Sequence, residues 1–347
     1  MVRFQNSVWF FASSLMFGVQ AMAQDALELE NHMIDTSGLT LSEKCEGEPQ
    51  WVCNRASRLQ AHKPNSIAWE FTDEDDNSLE ANYSFRYLLT RPDCSVEIGG
   101  EQAKCLKDWP TRNEWFLSYT GKFDFYMGTR DSGPVVNRVS NPALHWRIHN
   151  PSLMKGIDWI NIALEHRSNG QVTEFDIKDA SGNYVAEQRW LAGDRAYIDS
   201  ISRGANYFSF EMKNSFKSKT TKYGYWLSAK AYFTEDSLVT WGDKKGSDHR
   251  IWDYDVARFV FVGNKVKGEN KKFKQFEYSF EYTLGAKGFA TDSLEASIYF
   301  PYVYGKRTYF PINYLKIHVG PMSELSNYTE PQASIYLGLK LNPFPEY

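Results

Sequence analysis

Hydrophobic and polar side chains alternate with a period of two along much of this chain. From 79 to 89 and from 276 to 284, every second residue is apolar or aromatic, and nearly all the residues between them are polar or charged. Successive side chains of a β-strand point to opposite faces, so each segment would have one apolar and one polar face. The alternation therefore predicts β-strands.

Twelve segments are predicted to be strands: 66–72, 79–90, 114–128, 142–149, 157–168, 203–215, 223–233, 254–263, 273–285, 292–300, 310–319 and 332–342. A soluble β-sandwich also alternates, but its inner faces favour Val, Ile and Leu. Phe, Tyr and Trp dominate these faces, and aromatic residues make up 16% of the chain. Aromatic girdles are typical of strands that cross a membrane. We therefore predict an all-β fold, a twelve-stranded antiparallel transmembrane β-barrel of the outer membrane. Its even strand number places both termini on the periplasmic side.

The first 23 residues have the form of a secretory signal peptide. Arg3 precedes a short apolar run, and small residues at 21–23 provide a cleavage site before Gln24. Polar residues break the run, and no later stretch approaches the ~20 apolar residues that a spanning helix needs. The predicted organisation is a signal peptide (1–23), an N-terminal periplasmic extension (24–65) and the barrel (66–347).

Charge and cysteine content narrow the class further. The chain has 39 Lys and Arg against 43 Asp and Glu, which gives a net charge of −4. This balance does not indicate a nucleic-acid partner. The chain has four cysteines, an even count that suggests two disulfides in an oxidising compartment. Four cysteines can pair in three ways, and the sequence leaves the connectivity open. The simplest option pairs neighbours in sequence, Cys45 with Cys53 and Cys94 with Cys105.

The predicted strand at 157–168 carries polar residues on its apolar face. His166 and Ser168 follow Ile160, Ile162 and Leu164 at the same parity, so all five would face lipid.

Asn206 begins the next predicted strand at the same end of the barrel, and its parity matches Phe208 and Phe210. Counting strands from a periplasmic N-terminus puts this end outside the cell. The three polar residues would therefore lie together near the ester bonds of the outer leaflet.

These three residue types can form a nucleophilic site. Serine is a poor nucleophile until an imidazole takes its proton, and the imidazole needs a partner on its other nitrogen. Asparagine provides that partner without burying a charge beside lipid. Spacing alone equally allows the sequence from Ser168 to Gly170 to be an ordinary turn at the end of a strand.

Several short stretches resemble the outer membrane phospholipase A family. They are EHRSNG at 165–170, SRGANY at 202–207, SYTGK at 118–122, DSGPVVNRVSNP at 131–142 and SIYLGLKLNPF at 334–344. The similarity covers most of the region from about 66 to 344. In three respects the chain differs from the family pattern: the segment between Gly170 and Ser202 is longer than expected, Gln171 replaces a usual arginine, and Gly204 and Ala205 replace bulkier residues.

The resemblance implies a calcium-dependent phospholipase A that hydrolyses acyl esters of outer-leaflet phospholipids as a homodimer. It implies that Ser168 is the nucleophile, His166 the general base and acid, and Asn206 the residue that orients the histidine. Calcium would be bound by the carbonyl oxygen of Gln171, by Ser202 and by Ser132 of the partner subunit. The ion and the Ser168 N–H would form the oxyanion hole, and activity would depend on dimerisation.

Two other functions remain compatible with the sequence. A non-catalytic outer-membrane barrel, either a small channel or a structural protein, would share the strands. A lipid A acyl hydrolase would share the barrel and an outward serine. The sequence does not distinguish the sn-1 from the sn-2 ester, nor does it assign a role to the segment 171–201.

Overall fold

The fold is described from a computed structural model of the chain. It describes residues 59–72, 77–90, 112–126, 135–149, 151, 156–171, 173–174, 177–218, 221–233, 250–266, 274–300, 312–322 and 331–341. Some of the features interpreted from sequence lie outside these residues: the signal peptide, most of the N-terminal extension, the four cysteines and Ser132.

The described residues form thirteen strands, two short α-helices and two 3₁₀ turns, Ile251–Asp253 and Phe289–Thr291. The strands are β1 (Leu59–Ala61), β2 (Ser66–Thr72), β3 (Ser78–Leu88), β4 (Arg112–Tyr126), β5 (Val135–His149), β6 (Trp159–Ser168), β7 (Gly204–Lys217), β8 (Thr221–Tyr232), β9 (Ala257–Val266), β10 (Lys274–Leu284), β11 (Ser293–Tyr299), β12 (Tyr314–Gly320) and β13 (Gln332–Lys340). The helices are α1 (Val185–Leu191) and α2 (Arg195–Asp199). Among the described residues, no helix is long and apolar enough to cross a membrane.

Strands β2 to β13 close into an antiparallel barrel. Each pairs with the next along the chain, and β13 pairs with β2 through the register Leu337↔Trp69. The twelve-stranded barrel predicted from the alternation is therefore confirmed. Ser66 opens β2 opposite Lys340, which closes β13, so the barrel begins and ends at one end. The opposite end, where β6 ends and β7 begins, is called the site end below.

The outer surface is apolar and the lumen is polar. Phe85 and Leu117 are 45% and 47% exposed, whereas their strand neighbours Arg86 and Ser118 are buried. Apolar exposure on one face and polar burial on the other invert the pattern of a soluble protein. The inversion is that of a transmembrane barrel, whose outward side chains contact lipid.

Ion pairs fill the lumen. The buried Glu80 carboxylate lies 2.8 Å from Lys122 Nζ and 2.9 Å from Lys316 Nζ. Lys340 Nζ lies 2.6 Å from Glu277 Oε1, and both side chains are almost completely buried. Each cation satisfies a neighbouring carboxylate away from bulk water, as buried charges require. The lumen is therefore packed with side chains along these strands.

Tyrosine rings cover two glycines on the outer face. The Tyr83 ring lies over Gly121 on β4, and the Tyr278 ring lies over Gly263 on β9. A Cβ atom at either glycine would overlap the tyrosine ring. Glycine is therefore required at both positions so that the aromatic side chain can lie flat against the neighbouring strand.

The structure adds elements that alternation did not predict. Strand β5 begins at Val135 rather than near 142, and Pro142 lies inside it. The short β1 extends the pairing of β3 beyond β2, with the His62 N–H donating to the Ser84 carbonyl oxygen at 3.3 Å. Helices α1 and α2 lie between β6 and β7. Alternation could not predict these elements, because the pattern is interrupted near Pro142, β1 has only three residues, and helices do not have a period of two.

We predict that Glu80→Gln lowers the free energy of unfolding by about 3 kcal/mol, because it removes the buried carboxylate charge that both Lys122 and Lys316 contact. The measurement is the urea midpoint of the refolded barrel in lipid. The control is Arg189→Gln, which breaks an exposed 3.0 Å pair with Asp194 and should cost less than about 1 kcal/mol. Equal shifts in the two variants would contradict a structural role for the lumen pairs.

Candidate active site

Pairing of β6 with β7 places the predicted catalytic residues side by side. In this antiparallel register His166 lies opposite Asn206, and Ser168 lies opposite Gly204. Residues directly opposite each other share a face of the sheet. His166 and Ser168 are two apart on β6, so all three polar residues lie on the outer face at the site end. Each of the three is partly buried.

A hydrogen bond joins the histidine to the asparagine. His166 Nδ1 lies 2.8 Å from Asn206 Oδ1. An amide oxygen only accepts hydrogen bonds, so Nδ1 carries the proton and Nε2 becomes the acceptor. This tautomer is the one in which an imidazole can take a proton from a serine hydroxyl.

The inward residues of β6 fix the strand from the lumen side. Glu165 accepts from the Tyr207 hydroxyl at 3.1 Å and also from Ser209. Arg167 Nη1 lies 3.4 Å from Asp255 Oδ2. Because these residues alternate with His166 and Ser168, the lumen network holds the backbone that carries the outward pair.

A proline lies opposite the histidine on the other side of β6. The register with β5 pairs Ser140 with Ser168 and Ala143 with Glu165, which brings Pro142 opposite His166. Proline has no backbone N–H to donate to the ladder. Asn141 Nδ2 donates to the His166 carbonyl oxygen at 3.0 Å instead. The asparagine side chain thus replaces a missing strand hydrogen bond at His166.

Asn169 fastens the end of β6 to the start of β7. Its Nδ2 donates to the Ile201 carbonyl oxygen at 2.7 Å, and its Oδ1 accepts from the Arg203 N–H at 2.9 Å. Gly170 follows with a positive φ of 66°, a conformation that glycine adopts without strain. The side chain after the candidate nucleophile therefore closes the base of the loop that follows.

The loop between β6 and β7 has a small hydrophobic core of its own. Ala186, Ile198 and Ile201 pack together, although both helices are short. Asp179 is exposed, and hydrogen bonds from the Gln188 side chain and from nearby backbone N–H groups lower the pKa of its carboxyl. The sequence interpretation assigned no structure to this segment. The structure shows a small packed element at the site end of the barrel, between β6 and β7.

The predicted calcium ligands lie at the base of this loop. The Ser202 N–H donates to the Thr173 carbonyl oxygen at 2.6 Å, and the Gln171 N–H lies 3.4 Å from Asn169 Oδ1. Ser202 is exposed and Gln171 is partly exposed. Among the described residues, no group of three or more His, Cys, Asp or Glu side chains is placed to hold a metal ion. The available donors here are uncharged oxygens.

The lumen contains a second Ser, His and Asn set that the sequence interpretation missed. Ser118 Oγ lies 2.8 Å from His145 Nε2, and Asn161 Nδ2 lies 3.1 Å from His145 Nδ1. All three are buried, at 6%, 4% and 1% exposure respectively, and the Phe116 ring stacks on the His145 ring at 4.3 Å. The alternation along each strand could have predicted that these three side chains share the inner face. Only the pairing register of the strands shows that they are in contact.

The two sets differ in chemistry. An amide N–H directed at His145 Nδ1 makes that nitrogen the acceptor, so the ring proton lies on Nε2 and is donated to Ser118. His145 is then unable to act as the base for that serine. The outer set has the opposite tautomer and is accessible. We therefore assign the inner set a structural role and the outer set the candidate chemistry.

We predict that a fluorophosphonate probe labels Ser168 and not Ser118. The expected result is that Ser168→Ala abolishes labelling, whereas Ser118→Ala keeps it. His166→Ala should slow labelling by about 10²-fold or more, because the general base is lost. Peptide mapping by mass spectrometry locates the label. A label on the peptide that contains Ser118 would overturn this assignment.

We predict that Asn141→Ala slows the same labelling by about tenfold, because the His166 carbonyl loses its donor and the imidazole is less well oriented. Asn313→Ala is the matched control, since Asn313 Nδ2 likewise donates to a backbone carbonyl, that of Lys340, at 3.2 Å, at the other end of the barrel. The measurement is the labelling rate of folded protein. Equal rates in the two variants would exclude a role for Asn141 in orienting the histidine.

Comparison with solved structures identifies proteins with this fold. The chain is similar to Escherichia coli outer membrane phospholipase A, with a TM-score of 0.53, 12% identity and coverage of 82% of this chain and 91% of that one. The calcium-bound dimer of Salmonella typhi outer membrane phospholipase gives the same TM-score and identity, with coverage of 82% and 92%. No protein-family model and no curated protein sequence matches. The chain thus has the barrel fold of outer membrane phospholipase A.

Proposed function

We propose that this protein is a calcium-dependent outer-membrane phospholipase A that hydrolyses acyl ester bonds of phospholipids and lysophospholipids. The observation that carries the proposal is the 2.8 Å contact between His166 and Asn206 beside Ser168, on the apolar outer face of a membrane barrel. A serine hydrolase site on that face can meet an ester without removing the lipid from the membrane.

The reaction begins at the serine hydroxyl. Ser168 Oγ attacks the ester carbonyl carbon while His166 Nε2 takes its proton. The tetrahedral intermediate then collapses, the bond to the glycerol oxygen breaks, and Nε2 returns the proton to that leaving oxygen. A water molecule, deprotonated by His166, attacks the acyl-Ser168 ester, and His166 Nε2 returns the proton to Ser168 Oγ as the fatty acid leaves.

Asn206 orients the imidazole without introducing a charge. Its Oδ1 holds the proton of His166 on Nδ1, which leaves Nε2 to act as the base. A carboxylate in this position would bind the imidazolium more strongly, but an ionised group beside lipid is costly to desolvate. An uncharged amide therefore suits a histidine that is next to the acyl chains.

Two oxygen donors of this chain fit a calcium site. Calcium takes six to eight oxygen ligands and tolerates irregular geometry, and uncharged hydroxyl and carbonyl oxygens are suitable donors. Gln171 is partly exposed and Ser202 is exposed at the base of the loop after Ser168. Bound calcium would supply positive charge near the developing oxyanion, to which the Ser168 N–H donates.

Two ligands from one chain leave the calcium shell incomplete, which supports a site shared by two copies. Ser132 of the partner subunit is the proposed third donor. The Salmonella typhi protein has been solved as a dimer with bound calcium, which agrees with this arrangement. Dimerisation would then control activity, because a monomer holds only part of the ion's coordination shell.

The proposed substrate is phospholipid in the outer leaflet, with the site end facing the extracellular side. Phospholipid should be scarce there in an intact outer membrane, so disturbance of the membrane is the expected trigger. The non-catalytic channel is the less favoured alternative, because buried ion pairs such as Lys340 with Glu277 pack the described lumen.

We predict that refolded protein releases fatty acid from phospholipid in detergent micelles only when calcium is present. Ser168→Ala should reduce the rate by at least about 10⁴-fold, because the nucleophile is lost. Ser118→Ala is the control and should keep the wild-type rate. Fatty-acid titration measures release, and the heat-dependent gel shift of barrels shows that each variant is folded.

Chelation of calcium should abolish release from the wild type and leave the gel shift unchanged. A folded wild type that releases no fatty acid in calcium would refute the enzyme and favour the non-catalytic barrel. Release that survives chelation, or that survives Ser168→Ala, would refute the proposed metal or the proposed nucleophile respectively.

A further inference from the structure

A pair of hydroxyl groups lies next to the candidate nucleophile on the outer face. In the pairing of β5 with β6, Ser140 is directly opposite Ser168. Residues directly opposite each other share a face, with Cβ atoms about 4.5–5.5 Å apart. Ser140 Oγ donates to Tyr119 Oη at 2.8 Å. Tyr119, Ser140 and Ser168 thus bring three hydroxyls to one height on neighbouring strands.

The tyrosine hydroxyl is held in place by its ring. Tyr119 stacks on Tyr83 at 6.0 Å between centroids and on Phe85 at 5.8 Å. The rings belong to β3 and β4, which pair through Phe85↔Tyr119. Ring stacking fixes Tyr119, and strand register fixes Ser140 opposite Ser168. The two hydroxyls therefore have a defined position relative to Ser168.

The surface around this pair is apolar and faces lipid. Leu117 and Leu144 are exposed on the same face. The Tyr119 hydroxyl also shares a hydrogen bond with the Tyr83 hydroxyl, so Ser140, Tyr119 and Tyr83 form a chain of three hydroxyls whose two mutual hydrogen bonds use two of their three protons. The other proton needs an acceptor, because a hydroxyl that faces hydrocarbon without a partner is unfavourable. Acyl chains have no acceptor atoms, whereas the glycerol region of a lipid has several oxygens.

Resting on the function proposed above, we infer that Tyr119 and Ser140 bind the oxygen on the glycerol carbon next to the scissile ester. When Ser168 attacks one ester, the neighbouring glycerol oxygen lies one carbon away, within reach of the opposite position on β5. The hydrogen bond orients the scissile carbonyl toward Ser168. The pair therefore selects glycerolipids over simple alkyl esters, and it acts as a specificity determinant.

The test compares Tyr119→Phe with wild type on three substrates in the same calcium-containing micelles: dioleoylphosphatidylcholine, dioleoylglycerol and methyl oleate. We expect kcat/KM to fall about tenfold on the two glycerolipids, since one hydrogen bond is lost, and to stay unchanged on methyl oleate, which has no neighbouring oxygen. Phenylalanine keeps the stacking on Tyr83 and Phe85, so the barrel should remain folded.

Two further variants separate positioning from packing. Ser140→Ala should reproduce the selective loss, and Ser140→Thr should retain glycerolipid activity because it keeps a hydroxyl. Tyr225→Phe is the matched control, since it removes an outward tyrosine hydroxyl that accepts from Asn214 Nδ2 at 2.9 Å at the other end of the barrel. It should match wild type on all three substrates.

Each other outcome overturns the inference in a distinguishable way. Equal losses on all three substrates would show a structural role for the pair. A loss confined to phosphatidylcholine would show contact with the phosphate instead of the glycerol oxygen. Unchanged rates in Tyr119→Phe and Ser140→Ala would show no contact. A wild type inactive on every substrate would refute the proposed function itself, and this inference with it.

Discussion

Hydrogen bonding of the backbone in lipid is the constraint on which this molecule depends. No water is present in the bilayer core to satisfy an exposed N–H or C=O, so a β-sheet there must close on itself. The pairing of β13 with β2 achieves this closure. Closure gives the sheet an inside and an outside, and the strands distribute their residues by parity apart from register shifts in the pairings of β4 with β5 and of β9 with β10. Every later feature of the protein, including the candidate site, follows from that division.

Because side chains alternate between the two faces, the lumen can anchor a candidate site that lies on the lipid-facing side. His166 and Ser168 face lipid, while Glu165 and Arg167 between them are tied to lumen partners. Such anchoring is important because an outward side chain on a lipid surface has few polar neighbours that could fix it. Asn141 extends the same principle, since an inward side chain donates to the His166 backbone where Pro142 leaves the ladder without a donor.

Sequence alone could predict the barrel and the face on which each candidate residue lies, because the alternation of apolar and polar residues shows which side chains point outward. It could also place Asn206 near His166, because both lie at the same end of consecutive strands, but it could not predict neighbours across the other strands, because register depends on how two distant segments pair. The contact of Ser140 with Tyr119 and the inner set around His145 therefore appear only in the structure. Helices α1 and α2 were also missed, since segments of five and seven residues have too little period for detection.

The two Ser, His and Asn sets show why residue types alone do not define an active site. Both sets lie on neighbouring strands, and each contains a serine, a histidine and an asparagine. Around His145 the amide donates, the imidazole proton is directed at Ser118, and the three side chains are buried in the lumen with the Phe116 ring stacked on the imidazole. Around His166 the amide accepts, so Nε2 can take a proton at a lipid-facing surface. The tautomer and the face of the sheet, both set by strand register, make only the outer serine a plausible nucleophile.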